Sequence, residues 1–390
     1  MNLLIKKFFL SIIVPSSIFA VVQQALLVIL PLYILENGGT LAASAAVIGI
    51  KGLGMMLSDI PAGMLLSRIG DKRLMQGGIA LFVVSVLLMV VSSHMMVLIF
   101  AAVLQGFAHG AWLVGRISFI PDSTEVAERG RVMGLTAGTI RFGNMLGPLM
   151  AGFMLALVGY QATLVACAIL SIVALVAVCV FIKGHPPCAH DGHHIAGLVS
   201  SLKENRHVFL TAGVGAVALM FVRSSRALLL PLVGAALMLD EASIGIAVTA
   251  GAVIDTLLFY PAGSLMDRIG RKPVFVASLV ILGIGLLLLP LAQGFWGLCA
   301  ISLLLGLGNG ISAGVIMTVG ADLAPRQNRG SFIGVWRLLS DVGVTSGPFV
   351  IGGVIKLLSL SAASSCIGVL GVMGGIYMAS VFVETNNRKR

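Results

Sequence analysis

PAGMLLSRIGDK (61–72) and PAGSLMDRIGRK (261–272) are two copies of one segment, 200 residues apart in a chain of 390. The register holds outward in both directions without a gap. Pro31 meets Pro231, and Gly106 and Gly110 meet Gly306 and Gly310. Asp122, Arg129 and Gly130 meet Asp322, Arg329 and Gly330. Gly134, Gly143, Gly147, Pro148 and Gly152 meet Gly334, Gly343, Gly347, Pro348 and Gly352. So many Gly, Pro and Arg identities at one offset are the mark of an internal duplication. The duplication divides the chain into halves at 1–182 and 207–390, joined by a linker at 183–206.

The solvent of these halves follows from composition. Hydrophobic residues make up 58% and charged residues 10%, with a mean hydropathy of +1.07; soluble domains carry roughly 25% charged residues. A membrane-crossing helix needs about 20 mostly apolar residues. Cutting the chain at polar and turn-rich breaks gives twelve such runs: 8–35, 43–66, 74–92, 95–119, 132–158, 161–182, 208–238, 243–265, 274–292, 295–320, 332–357 and 361–383. The fold class predicted is an all-α membrane protein of twelve spans in two six-helix bundles related by a pseudo-two-fold axis. The first run follows Lys6 and Lys7 and is too long for a signal h-region of about 7–15 residues, so it reads as a retained span. The 48 glycines fit close helix packing in lipid. Five cysteines, Cys167, Cys179, Cys188, Cys299 and Cys366, show neither disulfide-scaffold nor metal-knuckle spacing.

Basic residues flank alternate loops. Lys6 and Lys7, Arg68 with Lys72 and Arg73, Arg129 and Arg131, Lys183 with Lys203 and Arg206, Arg268 with Arg271 and Lys272, Arg326 and Arg329, and the terminal Arg388, Lys389 and Arg390 fall on one side. The positive-inside rule makes that side cytoplasmic, with both termini inside a plasma or inner membrane. The net charge of +10 is thus mainly a topology signal, and its scatter over membrane loops excludes a nucleic-acid surface.

Parallel six-span repeats of this kind resemble the major facilitator superfamily, over essentially the whole chain. Its loop motif, G-x-L-x-D-R-x-G-R-K, is complete as Gly263, Leu265, Asp267, Arg268, Gly270, Arg271 and Lys272. The first copy keeps Gly63, Arg68 and Gly70 but has Ser67 for the acid and Asp71 for a base. Span five carries Gly134, Gly143, Gly147 and Pro148, which resembles the motif of proton-coupled exporters and antiporters of drugs and metabolites. The span-four motif R-x-x-Q-G keeps Gln105 and Gly106 but has Ala102 at the arginine position. The resemblance also implies a cytoplasmic gate in which Asp267 meets Arg141 and Asp341 meets Arg68.

Ionisable side chains at membrane depth are expensive and mark function by default. The spans contain Lys51, Arg116, Arg141, Arg223, Arg226 and Arg337 against Asp59, Asp255 and Asp341, an excess of three positive charges. Internal pairing, for instance of Arg223 or Arg226 with Asp255, accounts for some of them. The surplus favours an anionic or zwitterionic substrate, with Arg223, Arg226, Arg116, Lys51, Gln23 and Gln24 as binding candidates. Asp255, Asp59, Glu36 and His109 are the candidates for proton coupling. The linker tract HPPCAHDGHH offers His185, Cys188, His190, His193 and His194 as a weak metal site whose spacing matches no closed coordination sphere.

The reading is a secondary-active transporter, not an enzyme, that exports a small anionic or zwitterionic drug, metabolite or siderophore-like molecule by alternating access. It needs no cofactor beyond the proton gradient, has the bilayer and the substrate as partners, and works as a monomer. There is no G-x-x-x-x-G-K-[ST] phosphate loop to power it with nucleotide. Alternatives are a proton-driven importer of an organic anion, a metal exporter with a His-rich loop, and a non-transporting membrane receptor.

Overall fold

The computed structural model describes residues 9–124, 126–182, 184, 195–325 and 327–385. The described residues are almost wholly helical, and no strand occurs among them. The His-rich linker tract lies outside them, as do the first eight and last five residues.

Among the described residues, eleven helices are long and apolar enough to cross a membrane. One of them, Val132–Phe181, has 50 residues. At about 1.5 Å per residue it would run more than twice the roughly 30 Å hydrocarbon thickness. It breaks at Gly159, whose φ of 76° and ψ of 176° leave the helical region. The break separates spans five and six, and the chain is a twelve-span membrane protein. In the first half spans one to four are Val14–Glu36, Leu41–Ile69, Asp71–Val91 and Met95–Ser123. In the second, spans seven to nine are Val214–Ala236, Glu241–Ile269 and Arg271–Leu288. Spans eleven and twelve are Arg329–Leu357 and Leu360–Val381.

Span ten departs from the continuous helix expected over 295–320. It is two helices, Gly294–Ile311 and Val315–Leu323, separated by a turn in which Gly314 takes a left-handed φ of 82°. The cause is local sequence. Span four, its repeat partner, runs unbroken through Trp112, Leu113 and Val114, where span ten has Ser312, Ala313 and Gly314. The small polar residue and the glycine supply a turn where the first half supplies helix-forming bulk.

Two compact units emerge, Met1–Thr40 with Ile50–Gly192, and Leu41–Gly49 with His193–Arg390. The stretch read as linker contains a helix, Ile195–Glu204, which belongs to the second unit and lays Gly197 close to Ser331 of span eleven. The repeat persists in the backbone. A π-helical turn opens each half, at Phe9–Ile13 and Phe209–Gly213. Left-handed residues recur at Gly38 and Met238 (φ 80° and 54°) and at Gly70 and Gly270 (82° and 105°).

Internal packing repeats as well. In the first unit Gly143 and Gly147 of span five lie against Ala20, Val21 and Gln24 of span one. In the second, Gly343 and Gly347 of span eleven lie against Val217, Phe221 and Ser224 of span seven. Helices in lipid gain from close van der Waals approach rather than hydrophobic exclusion, and glycine permits that approach. Asp240 caps span eight by accepting from the backbone N–H of Ser243 at 3.1 Å and its hydroxyl at 2.6 Å, and these bonds hold its carboxyl below the usual range.

Candidate functional site

Each unit places a polar group from its first span against its fourth. In the first unit the Gln23 amide hydrogen-bonds Nδ1 of His109. The His109 ring stacks on Phe19, which also packs on Phe82 and Trp112 with ring centroids 4.8 and 5.2 Å away. The aromatic trio is core, since all three side chains are buried, so it walls the Gln23–His109 pair on one side. Lys51 and Arg116 are buried in the same unit. Gln105, retained from the partial span-four motif, is fully buried and donates to the sulfur of Met89 at 3.2 Å. Ala102 is fully buried too, so an arginine there would carry its charge into a packed interior.

In the second unit Arg223, the repeat partner of Gln23, reaches the break in span ten. Its guanidinium donates to the Ser312 carbonyl at 2.9 Å and to the Ser312 hydroxyl at 2.6 Å. Ser278 donates to the same hydroxyl at 2.7 Å. The helix Gly294–Ile311 ends at Ser312, and a cation there offsets the negative end of the helix dipole. Asp255 is fully buried on span eight and accepts from Asn309 at 2.8 Å. Asn309 is the repeat partner of His109. Positions 109 and 309 therefore carry the polar hub of each half.

The hydrogen-bond partners of Arg223 and Asp255 include Ser312 and Asn309, both missed in the sequence. The signal for Asn309 was present, because it stands 200 residues from a histidine already singled out. The signal for Ser312 required knowing that span ten breaks. Arg226 is half-buried on span seven and Asp59 half-buried on span two. Glu36 ends span one exposed, on the solvent side rather than at depth.

The complete loop motif is a charged cluster at one end of the second unit. Arg271 meets Asp322 at 3.2 Å and Asp267 at 3.5 Å. The two carboxylate oxygens of Glu384 accept from the backbone N–H groups of Arg271 and Lys272 at 2.9 and 3.0 Å, capping span nine. In the first unit Asp71 serves its own helix, accepting from Lys72 N–H. The acid that replaces a base in the first motif copy thus accepts from Lys72 N–H, the counterpart of one of the two N–H groups that Glu384 serves in the second. Asp341 lies 3.8 Å from Arg337 one turn away on span eleven.

The sequence model of the Major Facilitator Superfamily matches residues 12–223 and again 212–390. The chain belongs to the Major Facilitator Superfamily. It is 24% identical over 364 residues to the quinolone resistance protein NorA of Staphylococcus aureus (strain Mu50 / ATCC 700699), covering 93% of this chain and 92% of that one. It is 33% identical over 115 residues to the inner membrane transport protein YajR of Escherichia coli K12, covering 28% and 25%. Among solved structures it resembles the nucleoside transporter NupG, with a TM-score of 0.80, 14% identity and coverage of 97% and 100%. It also resembles a POT family transporter, with a TM-score of 0.79 at 10% identity and 93% coverage of each chain. As a member of the superfamily, this chain is a multi-pass secondary transporter of small molecules and not an enzyme.

Proposed function

We propose that this facilitator exports a small anionic or zwitterionic molecule by alternating access, driven by the proton gradient, with both termini in the cytoplasm. The observation that carries the charge preference is Arg223, held at the break in span ten by Ser312. Broken membrane helices expose backbone groups and helix ends where transporters bind charged substrates. Arg226, Arg116 and Lys51 add positive charge, and Gln23 and Gln24 supply neutral hydrogen-bonding groups. Asp255 is the preferred proton carrier: it is an acid fully buried at membrane depth beside Asn309, and ionisable residues there mark function by default. His109, Asp59 and Glu36 are the reserve candidates.

The direction rests on span five, whose Gly143, Gly147 and Pro148 follow the exporter pattern, and on the whole-length likeness to a drug-resistance protein. The intramembrane arginines favour import of an organic anion as the second reading. The gate pairs Arg141–Asp267 and Arg68–Asp341 belong to the same proposal. Overexpression in a panel of toxic anionic and zwitterionic compounds tests the direction. Export raises tolerance and lowers the retained compound; higher retention on overexpression would establish import instead.

A further inference from the structure

A cleft of about 210 Å³ opens in the second unit at the end opposite the loop motif, where span seven ends and span twelve begins. Its lining includes Val233, Leu237, Pro290, Leu360, Ser361 and Ser364. The first unit shows what the same fold does with that space. The counterparts of Val233 and Leu360 are Tyr33 and Tyr160, whose rings pack with centroids 5.7 Å apart. The counterpart of Ser361 is Gln161, which donates to the carbonyl of Val90, the counterpart of Pro290, at 2.6 Å. Leu164 stands where the second unit has Ser364. At these positions the second half therefore carries Val233, Leu360, Ser361 and Ser364 in place of two phenol rings, an amide donor and a leucyl side chain.

We infer that this cleft is a binding site for a small aromatic molecule bearing a hydroxyl or N–H, of the phenol or indole class. The ring occupies the space that Tyr33 and Tyr160 fill in the first unit. The ring-borne donor takes the role of the Gln161 amide toward the Pro290 carbonyl. Size permits this, since an apolar cavity of about 150 Å³ holds benzene. Polarity favours it as well. Ser364 spends its proton on the Leu286 carbonyl at 2.7 Å, so its oxygen presents lone pairs to a donor. Ser361 is exposed at the rim and Ser364 is buried. The inference rests on the comparison of the two repeats and is independent of the direction, coupling or substrate of transport.

The test uses the purified full-length chain with 4-ethylphenol and indole as probes and hexanol as an acyl-chain mimic. Binding is read by ligand-observed NMR, and the site by photolabelling with 4-azidophenol. Wild type is expected to bind both aromatics in preference to hexanol, with label on peptides containing 289–292 and 360–364. Val233→Tyr/Leu360→Tyr/Ser361→Gln restores three of the four first-half side chains and is expected to weaken both aromatics at least about tenfold. Leu360→Tyr alone, a milder change, is expected to weaken them by a smaller factor. The converse pair Tyr160→Leu/Gln161→Ser is expected to create a second labelled site in the first unit. Equal affinity in wild type and the filled variants would overturn the inference. So would hexanol binding as well as the aromatics, which assigns the cleft to lipid chains, or no aromatic binding at millimolar concentration.

Discussion

Replacing Gly147 with alanine adds one methyl group where span five meets span one. That Cβ would lie 2.7 Å from both Gln24 Cβ and the Val21 carbonyl oxygen, and 2.8 Å from the Ala25 nitrogen. Carbon atoms prefer about 3.5 Å or more, so the shortfall to Gln24 is roughly 0.8 Å. Two of the three neighbours are backbone and cannot rotate away, so the helices must separate. Overpacking of this kind costs about 1–3 kcal/mol, while alanine in place of glycine returns about 1 kcal/mol of helix propensity. Gly134 of the same motif isolates the second term, because nothing lies within 4 Å of a Cβ there. The difference in stability between Gly147→Ala and Gly134→Ala is therefore the packing term alone, about 1–3 kcal/mol. Gly347→Ala should fall between them: its nearest neighbours are the Ser224 and Ser225 hydroxyls, which can turn aside. Thermal unfolding of the three variants in one detergent measures the order. Equal shifts for Gly147→Ala and Gly134→Ala would show that span five does not pack on span one as described.

Three further outcomes follow from the site. Arg223→Gln should weaken transport of anionic substrates about tenfold or more and spare neutral analogues, measured as competition by a charge-varied compound series; equal losses would make Arg223 a support for the span-ten break only. Asp255→Asn keeps the size of the side chain facing Asn309 but removes the titratable group, so gradient-driven accumulation should vanish while counterflow exchange remains. If accumulation survives, His109, Asp59 or Glu36 carries the proton. Arg141→Asp should impair transport by about the tenfold that a 1.4 kcal/mol shift between states implies, and adding Asp267→Arg should recover most of it; a double variant no better than the worse single one removes this gate pair.

The duplication made the fold legible. One offset, carried by Gly, Pro and Arg, set six spans per half, and the same offset reappears in the positive-φ residues at 38 and 238 and at 70 and 270. Glycine and proline read well because their effects are local to the backbone. The hubs were half legible: His109 was conspicuous as an ionisable residue in an apolar run, while its partner Asn309 carries no charge and drew no notice. The turn inside span ten is not legible because composition stays apolar across it; three residues, Ser312 to Gly314, decide it, and hydropathy averages over them. Glu384 was invisible because it acts on N–H groups at 271 and 272, more than a hundred residues away, and nothing in a linear reading joins them.

In the proposed cycle, movement of protons drives movement of substrate. Purified protein reconstituted into liposomes, with an imposed pH gradient and no nucleotide, tests it directly. A substrate found by the tolerance screen should accumulate in the acidic compartment above its outside concentration. The internal pH should rise as it does so, and nigericin should abolish both effects. Equilibration without accumulation, or accumulation that survives collapse of the gradient, would contradict the account.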